Sequence, residues 1–451
     1  MAGGKYDKLA GKTRPGTYIN FESERNDVVG NSERGIVLLP LIGYDFGPAK
    51  TPITLTAAAP DAYSVELGRS VYDTTEKHML LIREAFKKAS KVIVYITEDG
   101  TAAAGTAAAG TAEQLTAKAK YGGPRGNDIH VSVVENPTGG FDVTVYLDAD
   151  ATAVYEGVKT IEELREAASD DKLVTFSGTG ELTAIAGLKL TGGEKKAGSN
   201  GDVTAFVDKM EGIHFNTLCF PVTETALQTA AITKIKYMRD SMGKGVNVVL
   251  PDAKTPDHEG VINVTNSVVV DDVELTHAEA CAFIAGITAA ASCVKSNTYE
   301  LYNGATDIVD PKDNEAAIAA INNGEMFFSY SEAGNVIIEY DINSLISFNK
   351  PKDKTYRKNR VIRVLDSIQE TIQNNFPPNK YDNSPTGWSV MKGIGQTILK
   401  QYEEMGAIKN VDYDADFNID ESLSSGDEVY FIVAIQPVDS AEKLYFTVKT
   451  R

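Results

Sequence analysis

The sequence predicts a multidomain α/β protein that contains a β-rich unit, a parallel-sheet unit and a last α+β unit. Three observations support this fold class. The chain has 451 residues, enough for about three domains. Residues 100–190 show short alternating strand patterns separated by turns, which favours a small β-sandwich. Residues 202–345 alternate strand patterns with long helical patterns, which is typical of βαβ units.

Composition and charge exclude several classes of protein. The net charge is −19, and phosphate recognition needs a basic surface, so we expect no direct binding to nucleic acid. No apolar run approaches the ~20 residues that span a bilayer, so we expect no membrane insertion. The N-terminus has no apolar signal-peptide core, and Cys219, Cys281 and Cys293 are too few for a disulfide framework. We therefore expect folding inside a cell, with core thiols.

The N-terminal third begins with a segment that is too polar to form a core. Residues 1–30 contain one strand pattern, at 17–22, and both a frayed tail and an arm that becomes ordered on a partner stay open. Buried strands are predicted at 35–40 and 91–96, with helical spacing over 64–88 between them.

The next segment is the predicted β-rich unit. The repeat TAAAGTAAAGTA at 101–112 has no large apolar residue to bury, which predicts a surface loop or a domain junction. Alternating patterns then predict strands near 129–133 and 141–147. The spacing Thr160-x-x-Glu163 predicts the start of a short helix.

The parallel-sheet unit and the last unit follow. Thr276-x-x-Glu279 predicts a capping box, followed by a helix whose small residues form a close-packing face. Predicted helices cover 202–211, 223–242, 276–294, 314–322, 361–372 and 386–405. Predicted strands cover 215–221, 246–250, 260–270, 326–329, 336–340, 429–438 and 443–448.

Motifs for catalysis or ligand binding are missing from the sequence. The nearest text to a phosphate loop, Ser241–Gly245, lacks the upstream glycine and the hydroxyl after lysine, and there is no GxGxxG or GxSxG. The acidic alternation over 412–420 lacks the glycine and the closing glutamate of a calcium loop. His277 and Cys281 are only two ligands and do not complete a zinc site. We therefore predict no catalytic residue, no cofactor and no metal.

Two charged stretches are the other candidates for function. Residues 350–363 are basic and lie at a helix N-terminus, where cations oppose the helix macrodipole and favour an acidic partner. Residues 412–428 carry only acidic charges. Two solvated faces and two unlike patches that meet between subunits are both open interpretations.

Several motifs, taken together and in order, resemble contractile tail sheath proteins of phages and of phage-tail-like bacteriocins. The resemblance covers nearly the whole chain. The motifs lie at residues 14–21 (RPGTYINF), 33–37 (ERGIV), 275–280 (LTHAEA), 296–299 (SNTY), 339–345 (EYDINSL), 356–366 (YRKNRVIRVLD) and 435–445 (IQPVDSAEKLY).

The resemblance implies a domain plan and a structural role. It implies an N-terminal arm (1–30), a segment packed on the α/β core (31–99), a β-sandwich domain (100–192), a subtilisin-like α/β domain without an active site (193–348), a C-terminal α+β domain (349–442) and a C-terminal arm strand (443–451). The protein is then a sheath protomer that polymerises helically around an inner tube and contracts to drive that tube through a cell envelope. It would assemble in the bacterial cytoplasm and reside in a virion tail or a released tail-like particle.

The resemblance also assigns sites and partners. In the family, terminal arms add strands to sheets of neighbouring subunits by β-augmentation. Its implied partners are other copies of the chain, the tail tube protein, and the baseplate and tail terminator proteins. The implied strand-donating residues are Tyr18, Ile19, Phe21, Leu444, Tyr445, Phe446 and Val448. The implied acceptor residues are Tyr430, Ile432 and Ala434. An electrostatic interface is expected at Arg357, Lys358, Arg360, Arg363, Asp414, Asp416 and Asp420.

Two alternatives remain at this stage. An α/β hydrolase-like enzyme is disfavoured by the missing nucleophile motifs. Another particle component, such as a tube protein or an adhesin, is disfavoured by the chain length and by the α/β pattern.

Overall fold

The computed structural model describes residues 2–4, 16–18, 34–44, 46–109 and 113–450. Two short strands near the N-terminus, β1 (Ala2–Gly4) and β2 (Gly16–Tyr18), pair in parallel. The strand predicted at 17–22 therefore begins inside β2, and its remaining residues lie outside the described part of the chain.

The first buried elements belong to a large mixed sheet. They are β3 (Ile36–Leu41), β4 (Pro52–Thr56), α1 (Lys77–Phe86) and β5 (Lys91–Ile96). The helix predicted from residue 64 begins only at Lys77, where the Glu76 carboxylate accepts from the backbone N–H of His78. Turns precede this helix, and Gly68 lies within them. Its φ of +69° is incompatible with a helix, and an added Cβ there would lie 2.7 Å from the Phe46 ring.

A β-sandwich follows, built from two sheets around one apolar core. Its elements are β6 (Ala102–Ala109), β7 (Glu113–Gly122), β8 (Ile129–Glu135), β9 (Phe141–Leu147), β10 (Asp150–Val158), α2 (Ile161–Ala167), β11 (Val174–Ser177) and β12 (Ile185–Lys189). One sheet has the order β10-β9-β8-β12 and the other β11-β7-β6. Thr160 caps α2 as predicted, because its side chain accepts from the N–H of Glu163.

The alanine-rich repeat was wrongly predicted as a surface loop. Most of it forms β6, which pairs antiparallel with β7. Small side chains are needed here because Ala103 is fully buried and a Cβ on Gly105 would lie 2.6 Å from the carbonyl oxygen of Lys189. The absence of large apolar residues therefore reflects close packing at Ala103 and Gly105.

The parallel-sheet unit contains the remaining layers around the large sheet. Its elements are α3 (Asn200–Lys209), β13 (Thr217–Cys219), α4 (Thr225–Asp240), β14 (Asn247–Pro251), β15 (Val261–Val264), β16 (Val268–Val270), β17 (Val273–Leu275), α5 (His277–Ala290), β18 (Ala305–Ile308), α6 (Asn314–Asn322), β19 (Glu325–Met326), β20 (Phe328–Tyr330) and β21 (Val336–Ile338).

The large sheet has the order β19-β15-β14-β13-β3-β5-β4, and every neighbouring pair is parallel except β4 with β5. Helices cover both faces: α1 and α5 contribute to one apolar core, and α3 and α4 to the other. The prediction of a largely parallel sheet is confirmed, whereas the likeness to subtilisin stays a prediction.

Helix α5 is buried along most of its length. The predicted capping box is present, since Thr276 accepts from the N–H of Glu279 and the Glu279 carboxylate accepts from the N–H of Thr276. The small-residue face packs on α1, where a Cβ on Gly286 would lie 2.4 Å from the carbonyl oxygen of Ala85. Cys219, Cys281 and Cys293 are buried free thiols, as expected, and burial raises the pKa of Cys219.

The C-terminal unit packs two helices against a small hairpin. Its elements are α7 (Asn359–Asn375), α8 (Pro385–Glu404), β22 (Phe417–Ile419) and β23 (Phe431–Val433). Strand β23 has three residues where ten were predicted, and residues 443–448 form no strand in this single chain. Among the described residues, no helix has the length and apolar character needed to cross a membrane.

Candidate intersubunit surface

The C-terminal arm, defined here as residues 443–450, carries apolar side chains that the single chain leaves uncovered. Leu444 is 66% exposed, Tyr445 90%, Phe446 84% and Val448 86%. The arm contains no helix or strand. A run of apolar residues at this exposure makes the arm a candidate contact surface.

The N-terminal donor residues can be placed only in part. The backbone of Tyr18 is the last position of β2. Ile19 and Phe21 lie outside the described residues.

The register of β23 shows which edge of this strand is open. Asp420 donates its N–H to the carbonyl of Tyr430 at 2.9 Å, and Ala434 donates its N–H to the carbonyl of Asp416 at 2.9 Å. Between them, Ile432 lies opposite Asn418. In an antiparallel pair these alternate residues direct their backbone groups at the partner strand, here β22, and the residues between them direct theirs outward.

The free edge of β23 therefore belongs to Phe431 and Val433. Tyr430, Ile432 and Ala434, the predicted acceptor residues, direct their backbone groups at β22 inside the chain. Tyr430 and Ile432 contribute to the surface through side chains that are 44% and 56% exposed. Sequence alternation identified the strand but could not tell which of its two edges is occupied.

An aromatic cluster fixes this edge to the helices. The Phe431 ring lies 5.6 Å from that of Phe417 and 5.4 Å from that of Phe376, which ends α7. Offset and tilted ring pairs at such distances are favourable beyond the burial of their area. The outward backbone groups of β23 are thus held on a packed support.

Three of the four basic residues predicted at an interface have side-chain partners within the chain. Arg363 is 1% exposed, and its guanidinium donates to Asp341 Oδ2 at 2.8 Å. Arg360 donates to Ser440 Oγ at 2.7 Å, and the Lys358 ammonium contacts the Glu442 carboxylate and the Tyr340 ring. Burial lowers the pKa of Arg357, whose Nε and Nη2 find no hydrogen-bond partner among the described residues. Acidic partners for two of these cations, Asp341 for Arg363 and Glu442 for Lys358, therefore lie in the same chain, and a contact of this stretch with another subunit or with the tube stays a prediction.

The predicted acidic residues lie around β22. Asp416 Oδ2 accepts from the N–H of Asp412 at 2.8 Å. Asp420 Oδ1 accepts from the hydroxyl of Ser422 at 2.6 Å, and this hydrogen bond lowers the pKa of Asp420. Asp414 is exposed. The pairing of these carboxylates with the basic stretch of another subunit stays a prediction.

Four side chains missed by the site prediction complete the surroundings of the basic residues: Ser296, Thr298, Asp341 and Glu442. Glu442 Oε1 accepts from Ser296 Oγ at 2.8 Å and from Thr298 Oγ1 at 2.7 Å. Each lies in a motif that carries the family resemblance. Asp341 lies in the motif just before the basic stretch, and that charge contrast is the signal that could have identified it. Glu442 lies 84 residues after Lys358, and no sequence signal pairs the two.

The large sheet offers a crevice where α/β enzymes place their active sites. It lies beyond the carboxyl ends of β3 and β13, between which the strand order reverses, and its volume is ≈ 440 Å³. His78 lies on its wall, but Nδ1 contacts Glu76 Oε1 at 2.6 Å and Nε2 contacts the carbonyl of Ile42 at 2.8 Å. With both ring nitrogens engaged, His78 is not available as a general base.

One group of possible metal ligands occurs among the described residues: Asp240, His258 and Glu259, whose ligand atoms lie within 4.8 Å of one another. Gly260 donates its N–H to His258 Nδ1 at 3.0 Å, so the neutral ring carries its proton on Nε2. Burial lowers the pKa of His258 to about 4, and the Lys352 ammonium already pairs with Glu259. Neither nitrogen has a free lone pair for a metal.

Comparison with known proteins identifies the family. Family models match residues 34–95 (domain III N-terminal region of tail sheath protein Gp18), 98–195 (phage tail sheath protein beta-sandwich domain), 196–344 (its central domain) and 351–451 (its C-terminal domain). The crystal structure of the sheath tail protein of Desulfitobacterium hafniense is 36% identical, with a TM-score of 0.80 over 96% of this chain and 99% of that chain. The chain belongs to the phage tail sheath protein family.

Other relatives agree with this family. The sheath tail protein Lin1278 of Listeria innocua is 33% identical, with a TM-score of 0.79 over 93% of this chain and 95% of that chain. Phage-like element PBSX protein XkdK of Bacillus subtilis strain 168 is 33% identical over the whole of both chains. The contracted helical sheath of the anti-feeding prophage shares the fold, with a TM-score of 0.57 at 12% identity over 98% of this chain and 100% of that chain. The protein is thus a structural sheath subunit of a phage tail or tail-like particle.

Proposed function

We propose that this sheath subunit polymerises helically around an inner tube and that contraction of the polymer drives the tube through a cell envelope. The observation that carries the proposal is that one chain has both an exposed apolar arm and an open strand edge. Because each copy has one arm to donate and one edge to accept it, the contact is heterologous and propagates into a polymer.

The C-terminal arm is proposed to pair with the outward backbone groups of Phe431 and Val433 in a neighbouring subunit. Main-chain hydrogen bonds would supply the contact, while Tyr445 and Phe446 project to opposite faces of the added strand. The N-terminal arm, with Tyr18, Ile19 and Phe21, is proposed as a second donor. Such a mesh keeps subunits connected while their domains change position.

Contacts outside the sheath complete the proposal. The tube, the baseplate and the tail terminator are the proposed partners, with assembly in the bacterial cytoplasm and no cofactor. Relatives with this fold include chains from a baseplate and a contracted helical sheath of the anti-feeding prophage. An electrostatic contact between the basic stretch and acidic groups of the tube or of a neighbour remains part of the proposal, with Arg357 as its least engaged member.

Electron microscopy of negatively stained, concentrated protein tests the proposal. The full chain is expected to form hollow helical tubes, and a chain that ends at residue 442 is expected to form none. A chain that ends at residue 448 is the matched control, because it keeps the four apolar side chains, and it should still form tubes. A chain without residues 1–24 tests the N-terminal arm in the same way. Tubes formed by the chain that ends at 442 would remove the C-terminal arm from the mechanism.

A further inference from the structure

Four of the sequence motifs that carry the family resemblance meet at one polar cluster at the base of the C-terminal arm. We call it the arm-root cluster, defined by Ser296, Thr298, Asp341, Lys358, Arg360, Arg363, Ser440 and Glu442. Its members come from residues 296–299, 339–345, 356–366 and 435–445. No motif analysis of the separate segments gave them a common role.

Glu442 is the centre of the outer layer of this cluster. Its side chain is 10% exposed, and it receives the Ser296 and Thr298 hydroxyls on one oxygen and the Lys358 ammonium on the other. A buried carboxylate with three donors is held firmly, because each donor compensates part of its lost hydration. Two residues earlier, Ser440 accepts from Arg360 at 2.7 Å.

A deeper layer holds these donors in place. Asp341 is 0% exposed and accepts from Arg363, from the side-chain amide of Asn359 at 2.9 Å and from the N–H of Asn297 at 2.9 Å. Thr298 Oγ1 also accepts the N–H of Asp341 at 3.0 Å. The donors of Glu442 are therefore connected to the buried ion pair that joins the central unit to α7.

The cluster ends where the exposure of the chain changes. Glu442 is largely buried, whereas Leu444 and Tyr445, two and three residues later, are 66% and 90% exposed. The last hydrogen bond between backbone groups before the arm joins the Val438 N–H to the Ala407 carbonyl at 2.8 Å. Without the cluster, this hydrogen bond would be the last point at which the chain is fixed. The cluster thus moves the fixed point of the chain four residues towards the arm.

We propose that the arm-root cluster is the anchor of the C-terminal arm, with Glu442 as the positioning residue that ties the arm to the junction of the central unit and α7. This inference rests on the proposed donation of the arm to a neighbour. An extended chain of six residues from Glu442 to Val448 reaches ~20 Å, against ~33 Å from Val438. The anchor therefore sets how far the accepting edge can lie, and it makes the arm follow the central unit when subunits move.

Limited trypsin digestion of the unassembled chain tests the anchor, because cleavage after Lys443 needs the arm root to leave its site. Lys358→Met removes the cation, and Ser296→Ala removes a hydroxyl, without changing the residues around the cleaved bond. We expect cleavage after Lys443 to become at least about tenfold faster in Lys358→Met and less so in Ser296→Ala. Asp427→Asn, an exposed charge change in the same unit, is the matched control and should leave the rate unchanged.

Two internal references separate the anchor from general loss of stability. Cleavage after Lys449, within the exposed arm, should keep its rate, and so should cleavage after Lys91 in the buried strand β5. An unchanged rate at Lys443 in both variants, or an equal rise at Lys91, would overturn the proposal. The digestion uses unassembled protein, so its outcome does not depend on tube formation, which tests the proposed function separately.

Discussion

At the scale of single residues, the basic stretch shows that a charge pattern can find part of its partners within its own chain. Seven cations and one acid over 350–363 left two interpretations open, a solvated face and a patch that meets an acidic partner. The structure instead buries Lys358, Arg360 and Arg363 against groups 22 to 84 residues away in sequence. Sequence spacing contains no information on such distant contacts, so the need for an acidic partner was predictable and its identity was not.

The buried pair of Arg363 and Asp341 makes stability depend on pH in a defined direction. Burial alone raises the pKa of Asp341, but Arg363 and the hydrogen bonds from Asn297 and Asn359 outweigh it and hold the pKa below its ordinary value. A depressed pKa contributes stability above the ordinary value of aspartate, and this contribution is lost as the pH falls through the lowered value.

Asp341→Asn should therefore destabilise the protein most at neutral pH. We expect a loss of about 3–5 kcal/mol in the free energy of unfolding at neutral pH, because Arg363 keeps an uncompensated buried charge. The difference from the unsubstituted protein should shrink at about pH 3. Urea unfolding at both pH values measures it, with Asp427→Asn as control. A loss that is equal at both pH values would contradict the account.

At the scale of elements, close approaches decide which small residues are required. The small-residue face of α5 was predicted from the sequence, whereas the repeat at 101–112 was predicted to be a surface loop or a domain junction. Both contain glycine and alanine for the same reason, since Gly286 and Gly105 each lie against a backbone carbonyl of a neighbouring segment. Periodicity reveals such a face in a helix, whereas a strand of small residues looks like a linker until its partner strand is known.

Two glycines of α8 provide a matched test of close packing. An added Cβ on Gly395 would lie 2.1 Å from the Phe417 ring, whereas one on Gly393 would meet nothing within 4 Å. Gly395→Ala should cost about 1–3 kcal/mol of stability through overpacking. Gly393→Ala should gain about 0.5–1 kcal/mol from helix propensity. Thermal and urea unfolding measure both, and equal effects at the two positions would contradict the packing described.

The open edge of β23 can be blocked without disturbing its paired edge. Val433→Pro removes an N–H that points away from β22 and fixes φ at a value that an edge strand tolerates. We expect a folded monomer that no longer forms tubes. Val433→Thr keeps the N–H and should still assemble. Circular dichroism checks the fold and electron microscopy the tubes; normal tubes from Val433→Pro would exclude this edge as the acceptor.

At the scale of the whole molecule, sequence patterns predicted the order of the structural units but not how the units contact one another. Alternating strands, helix caps and βαβ spacing predicted the sandwich, the parallel sheet and the helices of the C-terminal unit. The short length of β23 and the irregular arm were missed, because apolar alternation predicts a strand whether or not the single chain supplies its partner strand. Completion of these strands by a second subunit belongs to the proposed function.

The central claim is that the C-terminal arm of one subunit pairs with the Phe431–Val433 edge of another. Disulfide cross-linking in assembled tubes tests it most directly, since the native cysteines are all buried. One batch of protein carries Val433→Cys, and a second batch carries Tyr445→Cys or Phe446→Cys. Both arm positions are tested because neighbouring strand residues face opposite sides, so only one of them can face Val433. Mixed tubes should give a covalent dimer that neither batch gives alone, with one arm position clearly preferred. Mixed tubes that form normally but give no such dimer at either position would contradict the account.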